Sequence, residues 1–442
     1  MSFQQGLSGL NATSKNLEVI GNNIANSGTY GAKTSRAEFS DFYASALNGS
    51  VGSGVGIGTQ LAAIAQQFTQ GSITATDNPL DIAINGRGFF QVSDGASPTK
   101  YSRNGQFKVN KDGYIVNNSG DKLLGYTADP GTGQIQAGLA VPIRLPTGGI
   151  APQATLKTGM ELNLDATKKI TVPAVGPAID FTDSTTFNNA TSLTVYDAKG
   201  DPVALTYYFQ RSSVNDGTAA DEWNVFVTAN GSTVLGTATA PEAIGTITFS
   251  DDGSVPTAFT GGTGVTGVID PNTGKIEIAF PDVQGATGAN GVLPLPVSGM
   301  TLSMSVTQFA SAFGVTDLSQ DGFAAGQLSS INIESNGIIT ARYSNGQTKN
   351  AGQIEIADFR NLQGLQPVGD NMWASTYASG NPVTGVPGDG NLGVLQAGAL
   401  EESNIDLTAE LVNMITAQRA YQANAQSIKT MDQVMQTLVN LR

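Results

Sequence analysis

The chain is 442 residues long, enough for two to four domains with more than one hydrophobic core. Apolar residues make up 40% of it and charged ones only 13%, with 54 glycines, a composition rich in strands and turns and poor in ion pairs. A net charge of −14 leaves no broad positive face for nucleic acid, and the absence of cysteine and histidine excludes disulfides, thiolate nucleophiles, Cys/His zinc sites and imidazole bases, and with them most enzyme mechanisms.

The opening Met1-Ser2-Phe3-Gln4-Gln5-Gly6 has neither a basic segment nor a continuous apolar stretch. No window reaches the roughly 18 apolar residues of a membrane span, so neither a cleaved signal nor membrane insertion is expected. The weakly charged Asn/Thr/Gly-rich composition nevertheless reads as an extracellular surface, which calls for another export route.

Residues 3 to 26 place Phe3, Leu7, Leu10, Ser14, Leu17, Gly21 and Ile24 at alternating steps of four and three, a 3.5 period that predicts a helix with a coiled-coil-type seam. Ser2 with Gln5 forms a capping box, Asn26-Ser27-Gly28 supplies the stop, and the helix should be about 36 Å long. At the other end Leu407, Leu411, Met414, Gln418, Tyr421, Ala425 and Ile428 repeat the pattern, and Met431, Met435 and Leu438 continue it after one extra step of three, a helix of about 54 Å. Ser403 with Asp406 caps its start, Glu401, Glu402, Asp406 and Glu410 sit at the positive end of its dipole, and Lys429 and Arg442 sit near the negative end. The two stripes either pair inside one molecule or associate between molecules. Narrow seams of this type favour the second.

Between the helices the period is two. Leu80, Ile82 and Ile84 alternate, and Phe107 and Val109 lead through Asn110-Lys111-Asp112-Gly113 into Tyr114-Ile115-Val116, a hairpin. Ile331 and Ile333, Ser335-Asn336-Gly337, Ile339, Ala341 and Tyr343, Asn345-Gly346, then Ile354 and Ile356 predict a three-stranded meander. Residues 146–318 are richer in Gly, Thr, Pro and Val, with turn signals at Ala198-Lys199-Gly200-Asp201, Asp251-Asp252-Gly253 and Asn272-Thr273-Gly274, and read as an inserted β domain. Gly/Ser/Asn-rich stretches at 27–70 and 364–403 are expected to be loosely ordered in a monomer. The fold class is therefore α+β and multidomain. Paired coiled-coil-type terminal helices (1–26 and 404–442) and connecting segments (27–70 and 396–403) enclose an inner β domain (71–145 and 319–395), and an outer β domain (146–318) is nested within that.

Motifs for chemistry are weak. Gly262-Thr263-Gly264-Val265-Thr266-Gly267 has the letters of a dinucleotide fingerprint but precedes the strand-like Lys275-Ile276-Glu277-Ile278, so it reads as a loop. Asp317-Leu318-Ser319-Gln320-Asp321-Gly322 opens like a calcium loop but has Ser329 where the twelfth-position glutamate belongs, and reads as a turn. Tyr421 and the C-terminal methionines read as seam residues. No catalytic residue, metal site or cofactor is expected.

Asn22-Asn23-Ile24-Ala25-Asn26-Ser27-Gly28-Thr29-Tyr30-Gly31-Ala32-Lys33 resembles the signature of the axial proteins of the bacterial flagellum. Ala25, Asn26, Thr29, Gly31 and Lys33 fit it, and Ala32 stands where the family carries an aromatic. Asn78-Pro79-Leu80-Asp81-Ile82-Ala83-Ile84, Gly86-Arg87-Gly88-Phe89-Phe90, Leu400-Glu401-Glu402-Ser403-Asn404-Ile405-Asp406-Leu407 and Gln418-Arg419-Ala420-Tyr421-Gln422-Ala423-Asn424 are similar to further stretches of the rod and hook proteins. The large middle insertion favours hook over rod. The resemblance implies a homopolymer built on the two terminal seams, export through the flagellar type III apparatus without a cleaved signal, and an extracellular place in the hook and basal body. It also implies growth under a hook cap between rod and hook–filament junction proteins, and a flexible joint that passes torque. A distal rod subunit is the nearest alternative, and a secreted carbohydrate-binding or glycosidase-like β protein a distant one.

Overall fold

The computed structural model of the chain describes residues 2–42, 58–129, 131–174, 176, 178–214, 220–250, 255–270, 273–283 and 296–440, with side chains from 4 at the amino end and up to 437 at the carboxyl end. The side chains of Ser2, Phe3 and Leu438, the Asp251-Asp252-Gly253 turn, Asn272 and Arg442 lie outside the described residues. The amino end forms helix α1 (Ser2–Asn26) and the carboxyl end helix α2 (Leu407–Asn440), and the regular structure described between them is strand apart from one 3-10 turn at Leu362–Gly364. Two compact units result: Met1–Thr147 with Leu328–Arg342 and Thr348–Arg442, and Gly148–Gln327 with Tyr343–Gln347.

The second unit is built from long alternating strands. In Pro202–Ser213 the side chains of Val203, Leu205, Tyr207 and Phe209 are buried and alternate with the less buried Ala204, Thr206 and Tyr208, as the period-two pleat requires, before Gln210 and Arg211 are buried as well. This strand lies between Asn189–Tyr196 and Asp221–Ala229 in a six-stranded sheet. A second, five-stranded sheet centres on Lys157–Asp165 and Thr301–Phe309, which run parallel. The inward faces of both sheets share one core that includes Trp223, Tyr207, Leu162 and Met304. Each fully buried large side chain there contributes about 1.5–3 kcal/mol.

Several sequence expectations change here. The stretch Asp317–Gly322 is not a turn: Gly314–Gln320 is a strand paired antiparallel with Lys157–Asp165, and Asp321 beyond it accepts the Leu156 and Lys157 amides. That pairing extends the second unit to residue 327, past the composition change near 318. Gly262–Val265 is the loop between strands Pro256–Gly261 and Thr266–Ile269.

The first unit has a sheet in the order Leu328–Ile333, Ile338–Tyr343, Thr348–Ile354, Lys122–Thr127, Phe89–Ser93, Lys100–Ser102, Met372–Ala374, Gln366–Gly369. The meander is present, with Gly337 and Gly346 at positive φ in its turns. It stops at Ile354, because Ile356 starts a separate strand paired with Phe89 and Phe90. The hairpin joining Lys108–Val109 to Ile115–Val116 turns at Gly113, φ 85°. Ile82, Ala83 and Ile84 are all buried, so this strand is covered on both faces instead of alternating. Nor are the Gly/Ser-rich connections loose where they are described. Strands β1 (Ser35–Phe42) and β2 (Gly58–Gln66) form an antiparallel hairpin, and Val394–Ala397 and Ala399–Glu401 pair with Ile82–Asn85 and Ile73–Ala75. Backbone pairing with distant strands supplies the order that local composition withheld.

Candidate assembly site

Helices α1 and α2 pack against each other in the same chain. A Cβ at Gly6 would lie 3.1 Å from Ile428, and one at Gly9 2.9 Å from Asn424. Thr13, Asn16, Ile20 and Asn23 then line a groove shared with Glu410, Asn413, Ala417 and Ala420. Position rises along α1 as it falls along α2, so the pair is antiparallel. The helices thus pair within one molecule, the less favoured of the two arrangements open to them from the sequence.

The pairing face also differs from the expected seam. Gly6, Gly9, Thr13, Asn16, Ile20 and Asn23 are spaced three and four apart, but each lies one residue before a member of the apolar series, a rotation of about 100°. The same offset holds on α2 for Glu410, Asn413, Ala417, Ala420 and Asn424. Small and polar side chains let the backbones approach closely, and β1 and β2 cover a second side of α1 around Val19 and Asn22. What remains open is the apolar stripe itself. Leu7, Leu407, Leu411, Tyr421, Met431 and Met435 are exposed, Met435 by 61%, and Leu10, Leu17, Ile24 and Met414 are half-buried. A Cβ at Gly21 would meet nothing within 4 Å. Of the expected seam, Ile428 joins the pairing, against Gly6. The period was legible; which neighbour each face meets was not.

The start of α2 is capped by Asp406, whose Oδ1 accepts the Thr408 and Ala409 amides at 2.9 and 3.1 Å. Ser403 instead accepts the amide of Ile405 in a local turn. Glu401 does not serve the helix dipole either. It ends the strand Ala399–Glu401 and is buried, with Oε1 2.5 Å from Lys33 Nζ and Oε2 3.1 Å from Arg103 Nη1. Lys33 also donates to the Thr69 carbonyl, Arg103 to the carbonyls of Ile84 and Gly86, and the Gly71 amide donates to Glu401 Oε1. Burial holds the Lys33 ammonium below its ordinary value, against the opposing pull of Glu401. Burial likewise lowers Arg103. Two cations therefore share one carboxylate in a nearly solvent-free site.

Of the signature residues, Gly31 and Lys33 reach this cluster. Asn26 ends α1, and its carbonyl accepts the amide and hydroxyl of Thr29. Gly31, at φ 72°, donates its amide to the Glu401 carbonyl, and a Cβ there would lie 2.6 Å from the Asn104 nitrogen. Lys33 enters the ion cluster, Ala25 is exposed on the last turn of α1, and Ala32 is buried. Residues that sequence reasoning missed complete the join. Asn23 exchanges two hydrogen bonds with the Ser35 backbone. Asn404 accepts from the Thr34 amide and hydroxyl and donates to the Gln67 and Thr69 carbonyls. Asn23 and Asn404 both lie inside the quoted motif strings, the one signal that singled them out.

No helix among the described residues is long and apolar enough to cross a membrane. Family models match four stretches: the flagella basal body rod protein at 3–33, the flagellar hook protein FlgE/F/G D1 domain at 83–201, the flagellar basal body protein FlaE D2 domain at 163–323 and the flagellar basal body rod FlgEFG protein C-terminal at 396–441. The flagellar hook protein FlgE of Salmonella typhimurium is 40% identical over 444 residues, covering all of both chains. That of Escherichia coli K12 is 39% identical, again over the whole of both. That of Borreliella burgdorferi is 31% identical over all of this chain and 99% of its own. With full-length relatives at this identity, the chain belongs to the flagellar hook protein family.

Proposed function

We propose that this chain is a structural subunit of the bacterial flagellar hook and not an enzyme. It polymerises through its terminal helices into a curved, hollow, flexible tube that carries torque from rod to filament. The observation that carries this reading is the open apolar stripe. After α1 and α2 have paired through small and polar residues, Leu7, Leu411, Tyr421 and Met435 remain exposed on two long helices. Such a surface needs a partner, and helices of other subunits, packed with coiled-coil-type seams, supply it. Leu10, Leu17, Ile24, Leu407, Met414, Ile428 and Met431, with Phe3 and Leu438 beyond the described side chains, continue the same series.

Export proceeds through the flagellar type III apparatus without a cleaved signal, and the subunit adds under a hook cap, with rod proteins below and junction proteins above. The β-rich unit of residues 148–327 faces its counterparts through polar, weakly charged contacts that break and remake at little cost when the tube bends.

Electron microscopy of the concentrated full-length chain beside one lacking residues 1–26 and 404–442 tests the reading. Curved hollow tubes from the intact chain alone support it; two samples that stay monodisperse under every salt condition sink it.

A further inference from the structure

The groove between α1, α2 and β1 measures about 420 Å³ and is walled by Ile20, Ala37, Ala417 and Ala420, with Glu410 at its side. Glu410 is half-buried, and its Oε2 is shielded from solvent without a hydrogen-bond partner. The first turn of α2 favours a negative charge there, but the oxygen's capacity to accept a hydrogen bond stays unused. Arg36, the cation that also lines the groove, pairs with Glu38 at 2.7 Å. Arg419 is exposed and forms no ion pair among the described residues. From residue 410 to 419 a helix turns through about 900°, which places the two side chains on opposite sides of α2. Arg419 shares that outer strip with Val412 and Ile415, 57% and 51% exposed. One side of α2 thus borders a groove of mixed lining, where Thr13, Asn16 and Asn413 stand beside the alanines and an unpaired carboxylate, and the other carries an unpaired cation beside Val412 and Ile415.

We propose that the groove receives the outer strip of α2 from a second copy of this chain, with the partner's Arg419 on Glu410. Complementary patches on opposite sides of one element make a heterologous contact, which repeats along a helical filament instead of closing a dimer. A guanidinium suits the role because it is weakly hydrated and keeps its charge at any working pH. The pairing rests on the self-assembly reading above and adds to it the contact that sets the register between subunits.

The test measures the critical concentration for polymerisation, by sedimentation, of the full-length chain, of Glu410→Arg, of Arg419→Glu and of the two changes together. Each single change sets like charges across the contact and should raise the critical concentration about tenfold or more, and the double change should return it to within about threefold of native. Glu410→Gln is measured alongside, in case the reversal disturbs the helix pair. It should weaken assembly while leaving the monomer's melting temperature close to native, because the helix-dipole interaction it removes is small. Single reversals that assemble like native, or a double change no better than either, overturn the pairing. An Arg36→Ala chain with the Glu410→Gln defect also overturns it, since Glu410 would then answer to its own chain. A native chain that forms no polymer removes the self-assembly reading itself, and this pairing with it.

Discussion

Lys33 and Glu401 lie 368 residues apart in the chain and meet at 2.5 Å inside the protein. Arg103 shares the same carboxylate, so the amino-terminal segment, the inner sheet and the strand leading to α2 are tied at one buried point. The strand Ile73–Ala75 pairs with Ala399–Glu401 beside it. Both helices therefore leave the body of the first unit from a single braced junction.

The junction gives an ordered set of stabilities. Glu401→Gln strands two buried cations and should cost about 3–5 kcal/mol, whereas Lys33→Met leaves a balanced Arg103–Glu401 pair and should cost distinctly less. Denaturant unfolding of the two variants checks the order, and equal losses would contradict the shared-carboxylate account.

Gly31 and Asn404 provide a backbone counterpart. Gly31→Ala imposes about 1–2 kcal/mol of left-handed strain, with a Cβ crowding the Asn104 nitrogen in addition. Asn404→Ala leaves the Thr34 amide and the Gln67 carbonyl unpaired and should cost about 1–3 kcal/mol. Thermal unfolding followed by circular dichroism measures both. Losses within about 0.5 kcal/mol of zero, as at ordinary surface positions, would argue against the brace.

Alkaline pH addresses a different part of the first unit. Burial, helped by its hydrogen bond to Glu355 at 2.8 Å, pushes the Tyr126 hydroxyl up to about 12. A folded value above the ordinary 10 means that the unfolded chain loses this proton first. The stabilisation is fully present below pH 10 and is lost as pH climbs through about 12. Ultraviolet titration should place one tyrosine near that value, and Tyr126→Phe should flatten this part of the stability profile.

The inserted unit allows its own removal. Ile150 and Gly326 bridge through two backbone hydrogen bonds, so the chain enters and leaves it at neighbouring points. Deleting residues 148–327 with a short linker should leave chains that still form tubes but lose the curved form. Electron microscopy decides, and a complete failure to assemble would count against a division of labour between helices and insertion.

Much of this architecture is legible in the sequence because it follows from local rules. The 3.5 period around Leu10 and Leu411 marks both helices, and Asp112-Gly113 and Asn345-Gly346 mark turns whose glycines adopt positive φ. Local rules do not say which face of a helix meets which neighbour. The apolar stripe drew attention as a seam, while Gly6, Gly9 and Ala417 form the internal join because close approach favours small side chains. Glu401 read as a helix-dipole residue, since nothing near it in sequence announces Lys33 or Arg103. The pairing partners of Val394–Ala397 lie in Ile82–Asn85, more than 300 residues earlier, and no window on the chain contains both.

On the proposed function, each terminal helix has an inner face that pairs within the subunit and an outer apolar face that binds other subunits. The most direct measurement is the critical concentration for polymerisation of a chain carrying Leu7→Ser and Leu411→Ser together, with the monomer's melting curve beside it. Each leucine is worth up to about 1.5–3 kcal/mol when buried, so the account predicts a rise of about tenfold or more in critical concentration. The monomer's stability should stay within about 1 kcal/mol of native, since both side chains are exposed there. Polymerisation at the native concentration, or a monomer that loses its helices, would contradict the claim.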